Sequence, residues 1–195
     1  MKTTLENPTI QTNMLVLNGI SWEKFEEIER TFEDIEGVRF IYLDGELEII
    51  MNLSREHEEA KSTICMLLDV YLREKGIRFY KKGSATLGNK NITGRKEPDE
   101  SYNIYTKKEI PDLIIEIIVT SGGIEVLEIY RRIGVLEVWF WEDGLLTIHS
   151  LKENQYEKVN QSQLLPELDL ETFTKYINYY DQYDAVTEFM NYLKD

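Results

Sequence analysis

The stretch Pro111-Asp112-Leu113-Ile114-Ile115-Glu116-Ile117-Ile118-Val119 decides the fold of this chain. Its aliphatic run, interrupted by one glutamate, is typical of a strand buried on both faces of a sheet. A short helix of about 124–133 follows, closed by Gly134, and a second apolar strand runs from Val135 to Trp141. This strand–helix–strand unit predicts two parallel strands with a right-handed crossover. We therefore expect a mixed α/β sheet with helices on its faces.

The rest of the sequence predicts further hairpins and helices. Ser21 and Ser54 suit the N-caps of helices, and Asp44-Gly45 and Asp143-Gly144 suit tight hairpin turns, which need positive φ. The predicted elements are a helix over about 22–35, strands over 38–43 and 46–51, a helix over about 55–75, a strand over 77–87, a polar loop over 88–96, strands over 97–105, 145–151 and 156–159, and a helical tail from Leu170.

Length and composition indicate one domain. The 195 residues fit a single unit, 1–195, with a core over about 20–165 and a helical C-terminal tail over about 166–195. No apolar run approaches the roughly 20 residues that a membrane span needs. The N-terminus lacks the apolar core of a signal peptide, and the single Cys65 cannot form an internal disulfide. We expect a cytoplasmic protein with no membrane partner.

Charge is distributed unevenly along the chain. The net charge of -14 disfavours non-specific binding to nucleic acid, because a phosphate backbone repels it. The segment 73–96 is nevertheless basic, with eight Lys and Arg residues against one acid. This segment either contacts phosphates, with Lys81, Lys82 and Lys96 as the candidates, or is a solvated strand and loop with ordinary lysines.

Carboxylates on two neighbouring predicted strands suggest a divalent-metal site. Asp99 follows a proline at the start of its strand, and Glu116 lies in an apolar strand, where an unpaired carboxylate is costly. Mg²⁺ takes oxygen ligands and tolerates as few as one or two carboxylates, and a metal ion can neutralise a phosphodiester and generate hydroxide. Asp112 is either a third ligand or a strand-entry residue. The alternative for Glu116 is a salt bridge to Arg131 or Arg132.

His57 lies in the first turn of the helix that Ser54 caps. A histidine there either donates to a phosphate or acts as a base, or it is a surface or capping residue. Glu46 and Glu48 share one face of the second hairpin strand, so one of them could reach inward.

The chain resembles the Uma2 family of restriction-endonuclease-like proteins over residues of about 20–165. The motifs that carry the resemblance are Tyr42-Leu43-Asp44-Gly45-Glu46-Leu47-Glu48-Ile49, Met51 with Ser54 and His57-Glu58, Glu97-Pro98-Asp99-Glu100, Pro111-Asp112-Leu113-Ile114-Ile115-Glu116-Ile117, Val119-Thr120-Ser121, Ile129-Tyr130 and Gly134-Val135 with Glu137-Val138-Trp139. The family is similar to the PD-(D/E)XK nuclease fold, a mixed β-sheet flanked by helices. The resemblance implies Asp99 and Glu116 as the two acids, Mg²⁺ or Mn²⁺ as cofactor and DNA as substrate.

The sequence departs from that family pattern at the lysine. Such sites normally place it two residues after the second acid, where this chain has Ile118. Uma2-like proteins tend instead to offer an Asp-Lys pair on the next helix, where this chain has Glu125 and Val126. Val126 shares a helical face with Ile129 and Ile133, so a lysine there would point toward the sheet. Its loss removes a stabiliser of the phosphoryl transition state, unless Lys81, Lys82 or another base substitutes.

These observations support three hypotheses. The first is a metal-dependent DNA endonuclease with Asp99, Glu116 and His57 as catalytic residues. The second is a catalytically inactive nuclease-fold protein that serves as a DNA- or protein-binding module, favoured by the missing lysine and the net charge. The third is a self-associating structural domain. Four late tyrosines offer a homodimer contact, unless they pack the tail onto the core: Tyr176, Tyr179, Tyr180 and Tyr183.

Overall fold

The computed structural model describes residues 13–51, 54–118 and 125–194. The strands are β1 (Asn13–Leu17), β2 (Val38–Leu43), β3 (Glu46–Met51), β4 (Phe79–Lys81), β5 (Leu87–Asn89), β6 (Gly94–Lys96), β7 (Glu100–Ile104), β8 (Leu113–Ile118), β9 (Glu137–Glu142), β10 (Leu145–Lys152) and β11 (Gln155–Val159). The helices are α1 (Trp22–Thr31), α2 (Arg55–Glu74), α3 (Val126–Ile133), α4 (Leu170–Ile177) and α5 (Gln182–Tyr192), with a 3₁₀ turn over Lys90–Ile92. None of the helices in these ranges is long and apolar enough to span a membrane.

The six-stranded sheet contains the deciding stretch of sequence. Its order is β11-β10-β9-β8-β7-β4. Strands β8 and β9 are parallel, with Glu116 opposite Phe140, which confirms the predicted parallel pair. Helix α2 and the C-terminal helices cover one face, where Leu68, Trp139 and Phe173 belong to one buried cluster. The segment 119–124 between β8 and α3, where the sequence predicted a turn, lies outside the described residues.

The remaining described strands form a separate five-stranded sheet in the order β1-β3-β2-β6-β5. Helix α1 packs on one face, where Trp22 and Phe25 contact the cluster around Tyr42. The other face meets α3 through Ile41 and Ile129. Because α3 also packs on the six-stranded sheet, it lies between the two sheets. The predicted mixed α/β class is therefore confirmed, and the described strands are divided between two sheets.

Both hairpin turns have the predicted backbone conformation. Asp44 and Gly45 have φ of 48° and 94°, and Asp143 and Gly144 have φ of 48° and 79°. Two successive positive φ angles match the right-handed twist of the strands that the turn joins. The two Asp-Gly pairs therefore set the hairpins β2–β3 and β9–β10 as expected.

The segment 77–96 differs from its prediction. The expected strand over 77–87 is divided: β4 pairs with β7 in the six-stranded sheet, while β5 pairs with β6 in the five-stranded sheet. The expected polar loop over 88–96 contains β6 itself. Strands of three residues show too little alternation to be recognised by pattern. Helix α1 also ends earlier than predicted, at Thr31.

Gly88 allows β5 to approach β6 closely, and we expect Gly88→Ala to disrupt this pair. Its φ is 95°, and an added Cβ would lie 2.1 Å from the carbonyl oxygen of Gly94. The free energy of unfolding should fall by about 3 kcal/mol or more. Gly37→Ala is the matched control, because Gly37 has φ of 77° and nothing within 4 Å of such a Cβ; it should cost about 1 kcal/mol. Urea denaturation measures both, and equal losses would contradict the close approach.

Candidate active site

Asp99 and Glu116 lie side by side where β7 and β8 pair. Glu100 is opposite Ile115 in this antiparallel pair, so Asp99, one residue before β7, continues the register opposite Glu116. The amide of Ile117 donates to Asp99 Oδ2 at 2.7 Å. Both acids are buried, each 5% exposed. The two carboxylates that the sequence singled out thus belong to one site.

Two cations from the five-stranded sheet face these acids. Lys96, the last residue of β6, has its Nζ 3.1 Å from Glu116 Oε2. Arg39 of β2 donates from its guanidinium to Asp99 Oδ1. Ile41 is paired with Lys96, and Arg39 is two residues before Ile41 on the same face of β2. The strand register therefore directs both cations to the same side of the sheet.

Two further side chains hold the acids. The hydroxyl of Tyr130 on α3 donates to Glu116 Oε1. His57 on α2 has Nε2 3.1 Å from Asp99 Oδ2 and Nδ1 3.2 Å from Glu58 Oε1. His57 is 2% exposed, so the alternative that it is a surface residue is wrong.

The environment separates the protonation of the two acids. Burial raises the pKa of Glu116 to about 7, although Lys96 opposes this shift, and the charge of Asp99 adds to it. Burial also acts to raise the pKa of Asp99, but the hydrogen bond from His57 and the charges of Lys96, His57 and Arg39 outweigh it. The pKa of Asp99 therefore lies well below its ordinary value. At neutral pH, Asp99 is therefore ionised, whereas Glu116 is partly protonated.

The donor set of this acid pair suits one hard divalent cation. Mg²⁺ is commonly held by one or two carboxylates, with water and substrate phosphate completing its shell. From described residues, Asp99 Oδ1 and both Glu116 oxygens accept one donor each, which leaves further acceptor capacity on all three. In those same parts of the chain, no three His, Cys, Asp or Glu side chains are grouped to hold a metal. An ion here would therefore depend on water and phosphate for its other ligands.

Asp112 does not join this pair. Its Oδ2 accepts the amide of Ile104 at 2.9 Å, and its Oδ1 lies 2.5 Å from Lys108 Nζ. It precedes Glu116 by four residues along β8, a distance of roughly 13 Å in an extended strand. The expectation of a third metal ligand is therefore corrected: Asp112 binds the segment that joins β7 to β8.

Of the three lysines proposed to contact phosphate, Lys96 is the one that reaches the acids. Lys81 Nζ lies 3.3 Å from Glu100 and 3.7 Å from Asp69. Lys82 donates to the carbonyl oxygens of Lys108 and Glu109. These contacts hold Lys81 and Lys82 against other elements, so the structure does not bring either of them to the acid pair.

The alternative salt bridge of Glu116 to Arg131 or Arg132 is also corrected. Arg131 pairs with Glu128, and Arg132 pairs with Glu128 and Asp44. Both guanidinium groups are therefore paired with acids of α3 or of the β2–β3 turn. Glu116 instead forms an ion pair with Lys96.

Val126 occupies the face of α3 that the helical pattern predicted. It packs against the buried clusters that contain Tyr130 and Ile41. Tyr130, one turn later, reaches Glu116. A lysine at 126 would thus enter the region of the site from the helix, whereas Lys96 enters from the opposite sheet.

Sequence reasoning did not identify Arg39 and Tyr130 as site residues. A signal existed for each. Arg39 lies on the same face of β2 as the buried Ile41, and a buried phenol needs a hydrogen-bond partner. Glu48, also fully buried, is paired with Ile41 on the other side of β2 and so lies in the same row as Lys96.

This chain is similar to a described protein family and to a solved structure. The family model Uma2, described as "Putative restriction endonuclease", matches residues 22–178. A structure described as a "putative nuclease belonging to DUF820", from Anabaena variabilis ATCC 29413, is similar with 14% identity and a TM-score of 0.45 over 77% of this chain and 90% of that one. No curated protein shows a significant match. Because the family model spans most of the sequence, this mixed α/β chain belongs to the Uma2 family.

Proposed function

We propose that this chain is a metal-dependent endonuclease that hydrolyses phosphodiester bonds in DNA. The observation that supports this most is the position of Lys96. Its Nζ lies 3.1 Å from Glu116 Oε2, next to Asp99, and so supplies the lysine that the sequence lacks at positions 118 and 126. Two acids and a lysine are the set with which nucleases of this fold act.

Each residue of the site has a role in this proposal. Asp99 and Glu116 would hold Mg²⁺ or Mn²⁺, which supplies charge neutralisation and an acidified water at the phosphate. Lys96 donates to a non-bridging phosphate oxygen, where negative charge grows in the transition state. Tyr130 fixes Glu116 through Oε1, and His57 fixes Asp99 through Oδ2. The roles of Tyr130 and His57 are therefore to position the two carboxylates.

The net charge of -14 does not oppose this function at the site itself. Arg39 and Lys96 pair with Asp99 and Glu116, so the site carries cations that the total charge does not reveal. Local potential rather than total charge governs binding in a cleft.

The second candidate function is a catalytically inactive binding module. The contact that favours it is the ion pair of Arg39 with Asp99, because a neutralised acid is a weaker metal ligand. The homodimer and the cytoplasmic location stay predictions. Tyr176 is buried against the core, whereas Tyr180 and Tyr183 are exposed, so two of the four tyrosines remain candidates for a contact between chains.

Plasmid nicking in Mg²⁺ and in Mn²⁺ tests the proposal. We expect Asp99→Asn, Glu116→Gln and Lys96→Met each to lower the rate about 100-fold or more, because the first two remove a metal ligand and the third removes a donor to the transition state. Lys90→Met is the matched control, because Lys90 is 64% exposed and pairs with Glu23 on the surface. Nicking by the wild type that survives all three site substitutions would remove this site from the reaction. A wild type that does not nick would favour the binding module.

A lysine on α3 should replace Lys96. We expect the double variant Lys96→Met with Val126→Lys to recover roughly tenfold or more of the activity that Lys96→Met loses, because position 126 packs beside Tyr130 near Glu116. Val126→Lys alone should gain little over the wild type. Initial nicking rates measure this effect. If the single variant gained as much as the double variant, Lys96 would not be the functional lysine.

Activity should rise with pH through neutrality. Burial raises the pKa of Glu116 to about 7, and the neutral acid below that value is a poor ligand for a cation. Cleavage should therefore increase between about pH 6 and pH 8 and then level off. Single-turnover rates across this range measure the midpoint. A flat profile would show that ionisation of Glu116 does not limit the reaction.

A further inference from the structure

We propose that Arg39 occupies the place of a divalent cation at Asp99 in the free protein and moves to a DNA phosphate on binding, so that metal and DNA bind cooperatively. This inference rests on the proposed function and adds an order of events to it. Arg39 thus becomes a phosphate-binding residue that controls access to the metal site.

The contacts of Asp99 divide between its two oxygens. Oδ2 accepts from the amide of Ile117 and lies against His57 Nε2, at 2.7 and 3.1 Å. Oδ1 is the oxygen to which Arg39 donates. If the guanidinium leaves, Oδ2 remains held and the carboxylate keeps its orientation. The oxygen that becomes free is the one that a cation needs.

The side chain of Arg39 is placed to leave Asp99, whereas the side chain of Lys96 is placed to remain at Glu116. The side chain of Arg39 is 20% exposed, against 9% for Lys96. Arg39 belongs to β2, the central strand of the five-stranded sheet, so its backbone is fixed while its long side chain can turn toward solvent. A guanidinium also forms the same two-pronged hydrogen bonds with a phosphate as with a carboxylate.

Charge gives the exchange a direction. Without substrate, Arg39 contacts the carboxylate of Asp99, and its guanidinium repels a divalent ion from Oδ1. A DNA phosphate brings a second anion and attracts the guanidinium. Transfer of Arg39 to the phosphate leaves a negative charge at Asp99, which then attracts the metal. Each ligand therefore strengthens the binding of the other, as reciprocal coupling requires.

Calorimetric titration with Mn²⁺ alone tests the first half of this inference. We expect Arg39→Gln to bind Mn²⁺ roughly tenfold or more tightly than the wild type, because it removes a like charge from the cation's position. Arg39→Lys keeps the charge and should resemble the wild type. Arg30→Gln is the control, because Arg30 lies on α1, which packs on the other face of the five-stranded sheet. Equal affinity in Arg39→Gln and wild type would overturn the inference.

The second half is tested with DNA. A phosphorothioate DNA duplex, which resists cleavage, should tighten Mn²⁺ binding by the wild type by a larger factor than binding by Arg39→Gln. The phosphate is a ligand of the metal in both proteins, but only in the wild type does the DNA also remove Arg39 from Asp99, so equal factors would overturn the transfer. No effect of the duplex on the wild type would overturn the transfer to phosphate. That outcome is read from the wild type alone, so the inference can be overturned even if circular dichroism shows that Arg39→Gln does not fold.

A double variant separates this inference from the proposed function. Arg39→Gln with Asp99→Asn should lose the Mn²⁺ binding gained by Arg39→Gln alone. If Mn²⁺ binding persists in the double variant, the proposed metal site itself is wrong. If the double variant loses binding but Arg39→Gln binds no more tightly than the wild type, the metal site stands and the role of Arg39 is wrong.

Discussion

Two ion pairs join the sheets of this protein, with both cations on the five-stranded sheet and both acids at the β7–β8 pair of the six-stranded one. Lys96 meets Glu116 and Arg39 meets Asp99. All four groups are largely withdrawn from water, where removal of one partner commonly costs about 3–5 kcal/mol because the other is left buried and charged. The charges of the candidate active site therefore also link the two sheets in the free protein.

Helix α3 makes this arrangement possible. It packs on the six-stranded sheet through Tyr130 and on the five-stranded sheet through Ile129. Its tyrosine completes the hydrogen bonds of Glu116. The apolar packing thus sets the distance between the sheets, and the polar groups then fit within it. Burial of Glu116 raises its pKa, which is the cost of placing a carboxylate in so apolar a strand.

The sequence predicted those parts of the site that depend on local pattern. Glu116 was recognised as a lone acid in an aliphatic strand, and Asp99 was recognised because a proline precedes it. The parallel strand pair was predicted from the strand–helix–strand order of the sequence. The cations were not predicted in place, because Lys96 lies on a three-residue strand within a segment that resembles a polar loop. Arg39 was not identified for another reason. Its strand was recognised, but the sequence does not indicate which face of that strand meets a second sheet. Such contacts depend on tertiary packing that neither propensity nor period encodes.

The separation of Arg39 from Asp99 along the chain, 60 residues, has a consequence for biosynthesis. Contacts between such distant residues form late, since the entropy of closing the loop must be lost before the contact can stabilise anything. A partly folded chain would therefore lack the contact between Arg39 and Asp99. Asp99 gains the positive charge of Arg39 only when β2 has docked against the β7–β8 pair.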